Sequence, residues 1–370
     1  MKLFISIGIA VCSFLSSCSA ATILPSATPE STLNPEPVIL PLSVPGLYDV
    51  GFHSDIPFTD SSRSDRKVTI TIWYPAIPPQ DSTGNDPIKD ATPNPVGSPY
   101  PVILSSAKVG SFFAPHLASY GFIIIGIQEQ DSATNWGPWL VNYPLDLVFA
   151  LNQVAAYPPE DLTDILDTEH VGAMGYSFDG YTSLALSGAR VDPEFYLEQC
   201  SQADMMDPAP PEWWIDYICN LTGEWDAFVT NAGSSITTSS DGLWKPMTDE
   251  RIRAVMPMAP EGAWLFGERG LAAADIPTLI IGATEDQYNY YDLEASYIYQ
   301  HLGTPDRTLI SFIDQDHMMI YDGSQAARMR HFATAFFGYY LQGNHDYLYY
   351  FSKDFVIQYH DLAWDVYAGE

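Results

Sequence analysis

A serine flanked by glycines, then an acid, then a histidine follow one another along this chain in the order that nucleophilic acyl transfer uses on one class of fold. The apolar run Val171-Gly-Ala-Met-Gly175-Tyr176-Ser177-Phe178-Asp179-Gly180 leads straight into Ser177. A serine hydroxyl is a weak nucleophile at neutral pH and needs a hydrogen-bonded base, itself oriented by a carboxylate. Where a strand turns sharply into a helix at such a serine, the acid and then the histidine come later in the chain. Asp286, in Gly282-Ala-Thr-Glu-Asp286-Gln, is the expected acid, and His317, in Asp314-Gln-Asp-His317-Met-Met, is the expected base. Glu285 is the alternative acid. Asp314 and Asp316 stand too close to His317 in sequence to orient it. The remaining histidines, among them His53, His116, His170 and His331, read as surface or packing residues.

A tetrahedral intermediate needs two N–H donors aimed at its oxyanion. One is expected from Phe178, directly after the nucleophile. The other is expected from the loop Ser105-Ser-Ala-Lys108-Val-Gly110, at Lys108, with Ala107 and Val109 as alternatives. Gly175 permits the tight turn into the helix. The usual pattern is Gly-x-Ser-x-Gly, whereas this chain has Asp179 at the second glycine, so Asp179 must turn its side chain away or cost stability. No metal or cofactor is expected: the sequence has no His-Glu-x-x-His, no paired Cys-x-x-Cys and no glycine-rich phosphate loop. Acidic stretches such as Glu129-Gln-Asp131 read as solvated loops.

The elements that must carry these residues follow from hydrophobic patterning. Val68 to Tyr74 alternates strictly, which predicts an antiparallel strand with one buried face. Val102–Leu104, Ile123–Ile125, Val171–Met174, Ala254–Met256, Thr278–Ile281 and Thr308–Ile313 are short apolar runs, as in strands covered on both faces. Helical periodicity lies between several of them, at Leu145–Val154 and Tyr181–Ser187. Strand and helix in alternation predict an α/β fold with a mainly parallel central sheet and helices on both faces. Each expected catalytic residue then falls just past a strand, at the sheet's C-terminal edge. Arg190 to Asp249, with Pro-Pro, Trp-Trp and two cysteines, breaks the rhythm and reads as an insertion over the sheet edge or the site. Pro78 to Pro99 reads as a surface loop.

Only 15 Lys and Arg stand against 46 Asp and Glu, a formal charge of −31. Such a surface repels phosphate backbones, which excludes nucleic acid as a partner, and it favours neutral or cationic small molecules. Residues 1–17 combine Lys2, an apolar run and small residues, as an export signal does. The run is too short to span a bilayer. Leu15-Ser16-Ser17-Cys18 resembles a bacterial lipobox, which predicts lipidation at Cys18 and a membrane-anchored lipoprotein on the outer side of a bacterial membrane. Cleavage after Ala20 or Ala21, giving a secreted protein, is the alternative. Residues 18–45 form a proline-rich spacer, leaving 46–370 as the folded domain. In an exported chain, Cys200 and Cys219 are expected to form a disulfide, with two buried thiols as the alternative.

With these residues in view, the chain resembles the platelet-activating-factor acetylhydrolase and predicted dienelactone hydrolase families of α/β-hydrolases. The likeness runs from about Gly46 to Gly343. It includes Tyr48-Asp-Val-Gly51, Asp60-Ser-Ser-Arg63, Ile72-Trp-Tyr-Pro75, Gly175-Tyr-Ser-Phe-Asp-Gly180 and Arg253-Ala-Val-Met-Pro-Met-Ala-Pro260, with the Asp286 and His317 loops. The resemblance implies the α/β-hydrolase fold and metal-independent hydrolysis of carboxylic esters, short-acyl phospholipids among them. Two departures stand out: many relatives have His-Gly at Ser106-Ala107, and dienelactone hydrolases proper use cysteine where this chain has Ser177. A peptidase or polyester hydrolase with the same triad, and a catalytically inactive binding protein, are the competing readings.

Overall fold

The computed structural model describes residues 39–78, 86–131 and 135–369. Cys18, the expected export signal and most of the expected proline-rich spacer lie outside them. The fold is α/β, a mostly parallel mixed sheet flanked by helices. Its strands are β1 (Asp49–Asp60), β2 (Arg66–Ile77), β3 (Ile88–Lys89), β4 (Thr92–Pro93), β5 (Tyr100–Ser106), β6 (Ile123–Ile127), β7 (Leu166–Tyr176), β8 (Ile252–Met258), β9 (Thr278–Ala283), β10 (Arg307–Phe312) and β11 (Leu362–Trp364). The sheet order is β11-β10-β9-β8-β7-β5-β6-β2-β1-β3, with β4 on β2. From β6 to β10 neighbouring strands run parallel, and antiparallel pairing appears at β2 on one side and β11 on the other.

Parallel strands buried on both faces explain the continuous apolar runs. Val102 and Leu104 enter one core and Ile103 the other; Ile123 and Ile125 likewise part from Ile124. Helix α1 (Ala107–Ser119) and the long helix Gly323–Gln342 cover one face, while α2 (Trp139–Ala156) and α3 (Phe178–Leu186) cover the other. Strand β2 differs from the expectation of one buried face. Ile70, Ile72 and Tyr74 face one core, Trp73 faces the other, and Thr71 is buried too. The cause is tertiary: helix α1 packs against β2 and covers its second face. Pro78 to Pro99 carries β3 and β4 in its described part, and Ala91 is buried.

The chain from Ile39 to Pro45, read as spacer, is packed on the domain. Leu40 and Leu42 are buried, the Leu42 N–H donates to His331 Nδ1 at 3.0 Å, and the Leu42 carbonyl lies 2.9 Å from His116 Nε2. Two apolar residues among the prolines suffice to anchor it. Both imidazoles are packing residues, and burial pushes them down, His116 to about 4 and His331 to about 3.

The insertion forms helices Pro193–Gln202, Glu212–Ile218, Trp225–Ala232 and Ser234–Thr237. Cys200 and Cys219 are disulfide-bonded, with Cα atoms 5.6 Å apart, which ties the first of these helices to the end of the second.

An ionic cluster fixes α2 to the β1–β2 hairpin. Asp146, buried in α2, accepts from Arg63 Nη2 at 2.7 Å and from Arg66 Nη2 at 2.7 Å; Arg63 also donates to Asp60 and Arg66 to Asp131. Removing the shared carboxylate would leave two guanidinium groups short of a partner in a partly desolvated place. Asp146→Ala is therefore expected to lower unfolding free energy by about 2–3 kcal/mol, somewhat less than a fully buried pair because both arginines keep some solvent. Urea denaturation checks this; a midpoint equal to the parent's would show that the cluster contributes nothing net.

Candidate active site

Ser177 sits between the end of β7 and the start of α3 with φ 61° and ψ −125°, a conformation that non-glycine residues rarely adopt. Crowding in this turn explains the surrounding glycines. A Cβ on Gly175 would lie 1.8 Å from the Asp179 carbonyl oxygen, and one on Gly180 would lie 2.8 Å from Pro260 Cα. The close approach on the far side of the serine thus falls at Gly180, which frees position 179 to carry a side chain.

Strands β7, β9 and β10 are parallel, so their C-terminal ends share one edge and deliver three side chains to one place. His317 Nε2 lies 2.9 Å from Ser177 Oγ, and His317 Nδ1 lies 2.8 Å from Asp286 Oδ2. The other oxygen of Asp286 accepts the backbone N–H groups of Tyr288 at 2.9 Å and Asn289 at 2.8 Å. Asp286 is buried, whereas Glu285 is exposed and makes no contact with the imidazole. Asp316 instead caps the short helix His317–Tyr321 by accepting from the Met318 N–H. This arrangement can move a proton from the serine to His317 while Asp286 holds the ring's tautomer and orientation.

Helix α1 begins at Ala107 and α3 at Phe178. N–H groups in a helix's first turn have no intrahelical partner, so those of Lys108 and Phe178 are available as donors. Both residues line a cleft of about 150 Å³ beside Ser177 and His317, together with Phe112, Met318 and Tyr321. The Lys108 ammonium lies over the Phe178 ring, 5.4 Å from its centroid.

Several contributing residues left no signal in the sequence. The Tyr176 hydroxyl donates to the His317 carbonyl at 2.7 Å, pinning the loop that carries His317. Asn289 Nδ2 donates to the Ala259 carbonyl at 2.8 Å, joining the Asp286 loop to the end of β8. The Asp286 turn was legible in part, because an aspartate accepting from N–H groups two and three residues on is an ordinary turn device. Asp179 neither points into solvent nor goes unpartnered: it is buried, and its Oδ2 accepts from Ser106 Oγ at 2.7 Å. Ser106 Oγ in turn accepts the Val109 N–H at 3.1 Å as the cap of α1.

No family model matches the chain, and no curated protein matches it.

Burial, reinforced by the charge of Glu129, pushes the Asp179 carboxyl up to about 8 against the pull of Ser106 and Lys108. An unfolded chain loses this proton near pH 4, at the ordinary aspartate value, so between roughly pH 4 and 8 the native state binds the extra proton and stability falls as pH rises. Asp179→Asn is expected to flatten that fall. Thermal midpoints of parent and variant at pH 5 and pH 8 check it, and an identical drop in both would show that Asp179 is ionised throughout.

Proposed function

We propose that the protein is an exported serine esterase of the α/β-hydrolase fold, cleaving carboxylic esters through an acyl-enzyme on Ser177. The observation that carries this reading is the unbroken hydrogen-bonded line from Ser177 Oγ through His317 to Asp286, with the serine raised on a strained turn. A parallel sheet with antiparallel flanks, and all three residues at its C-terminal edge, supports the fold assignment.

In this mechanism Ser177 Oγ attacks the ester carbonyl as its proton passes to His317 Nε2. The oxyanion that develops faces the N–H groups of Phe178 and Lys108, and these fixed donors stabilise it more than they stabilise the planar ester. Collapse expels the alcohol, which takes the proton back from His317. Water then repeats the sequence on the acyl-enzyme. Asp286 stays hydrogen-bonded to the imidazolium that forms in each half-reaction. The modest cleft between Lys108, Phe112 and Met318 suits a short acyl chain, in keeping with the short-acyl lipid esters that the sequence resemblance implies.

We further propose that the chain is held on the outer side of a bacterial membrane through lipid on Cys18. The Cys200–Cys219 disulfide supports an oxidising compartment. Each buried CH₂ is worth about 0.8 kcal/mol, so two or more acyl chains retain a domain of this size.

Ser177→Ala is expected to fold normally, to lose labelling by a fluorophosphonate probe, and to hydrolyse p-nitrophenyl acetate at least about 10³-fold more slowly. Parent-like turnover in the purified variant would exclude the relay. Cys18→Ser should release the protein from the membrane fraction, and mass spectrometry of the mature N-terminus reads the modification; an unmodified terminus at Ala21 or Thr22 would make the protein freely secreted.

A further inference from the structure

Ser177 and His317 form part of the walls of two clefts. One is the Lys108–Phe178 cleft described above. The other, of about 290 Å³, is completed by Trp213, Tyr217, Glu261, Tyr288 and Asn289. Trp213 and Tyr217 stand four residues apart on helix Glu212–Ile218 of the insertion, so they share one helix face. Tyr288 comes from the loop that carries Asp286. The Trp213 and Tyr288 rings meet edge to face with centroids 6.4 Å apart, and each remains about half exposed, at 47% and 50%. Glu261 is only 2% exposed. Its carboxylate accepts from the Trp136 indole N–H at 3.2 Å and from the Tyr217 hydroxyl at 3.1 Å, and among the described residues it has no cationic partner.

We propose that this second cleft receives a cationic group, an ammonium or methylated ammonium carried by one half of the ester, held against Trp213, Tyr217 and Tyr288 and balanced by Glu261. The proposal rests on the serine-esterase reading and names its substrate class. Three features of the cleft favour a cation over other occupants. Aromatic faces attract cations electrostatically, and most strongly where water is excluded. A buried carboxylate is costly to leave unbalanced; an apolar occupant offers Glu261 nothing, whereas a cation offsets its charge. An anion meets repulsion from Glu261 and Asp286 and from a chain whose formal charge is −31. Glu294, outside the cleft's lining, is also fully buried: one oxygen accepts the Ala263 N–H at 2.9 Å, and the other has no partner. Burial, with the charges of Glu261 and Asp286, pushes Glu294 well above the usual carboxylate range, while burial raises Glu261 to about 7.

The test uses two isosteric alcohols, choline and 3,3-dimethylbutan-1-ol, which differ by a quaternary nitrogen in place of a carbon. Each is titrated as an inhibitor of p-nitrophenyl acetate hydrolysis by the full chain, with ionic strength held constant by sodium chloride. Choline is expected to inhibit at a concentration about tenfold lower than its neutral isostere, the scale of a desolvated cation–aromatic contact. Glu261→Gln, isosteric but uncharged, should reduce that ratio to within about threefold, and Trp213→Ala, at the exposed rim, should reduce it without disturbing the core. Equal inhibition by the two alcohols, or a ratio unchanged in both variants, overturns the proposal. If p-nitrophenyl acetate is not hydrolysed at all, the esterase reading fails separately. Calorimetric titration with the same two alcohols then reads the cleft without catalysis, and the same ratio decides.

Discussion

The backbone of Ser177 is the constraint on which the surrounding architecture depends. Its positive φ costs about 1–3 kcal/mol in a residue other than glycine and persists only where neighbours over-determine it. Those neighbours are identifiable. The Ser177 N–H donates to the Met258 carbonyl at 2.9 Å and its carbonyl accepts from Tyr181 at 3.1 Å, so β8 holds the residue from one side and α3 from the other. Gly175 and Gly180 lack side chains because backbone atoms occupy the space that those would need. The segment that clamps the turn, Met258 to Pro260, runs directly into Glu261, so support of Ser177 and part of the lining of the second cleft belong to one stretch of chain.

Asp179 shows how a departure from a familiar pattern is absorbed. A carboxyl at this position is fully desolvated and raised toward neutrality, a cost that a glycine would not incur. In return its bond to Ser106 ties the first turn of α3 to the cap of α1, the two helix starts whose N–H groups flank the proposed oxyanion position. Oxyanion stabilisation depends on donors that are fixed before charge develops. A hydrogen bond between the two turns would supply that fixity in the proposed mechanism. Local rules tend to be broken at sites of chemistry and compensated nearby, and Asp179 with Ser106 fits that description.

Much of the sheet and the convergence of Ser177, Asp286 and His317 was legible in the chain, because both are encoded by short-range patterns. Apolar runs such as Ile123 to Ile127 have no polar face to hide, and a serine, an acid and a histidine that each follow such a run must meet if the strands are parallel. What escaped was set by tertiary position. The alternation in β2 suggested a half-exposed strand, yet Thr71 and Trp73 are buried because a helix covers their face as well. Ile39 to Pro45 looked like spacer because composition averages over Leu40 and Leu42, the two residues that dock. The partnership of Asp179 with Ser106 spans 73 residues and has no periodicity to announce it. The same holds for Trp213, Tyr217 and Glu261, which converge from an irregular insertion and a post-strand turn.

That convergence divides labour within the molecule. Ser177, His317 and Asp286 stand at sheet edges whose spacing is fixed by backbone pairing, while Trp213 and Tyr217 of the second cleft come from the insertion, joined to itself by the Cys200–Cys219 bridge. Aromatic packing seats the insertion on the sheet side: Trp214 meets Trp264 edge to face at 5.0 Å, and Trp136 stacks with Tyr196 at 6.0 Å. Trp214 is buried while its neighbour Trp213 is half exposed, so one indole of the pair anchors the helix and the other is left to face the cleft. A rigid helix presenting an exposed aromatic ring loses little conformational entropy when a ligand arrives, which is how a small cleft can discriminate without a large contact area. Changes confined to this helix would then alter what is recognised while the distances among Ser177, His317 and Asp286 stay as the sheet sets them.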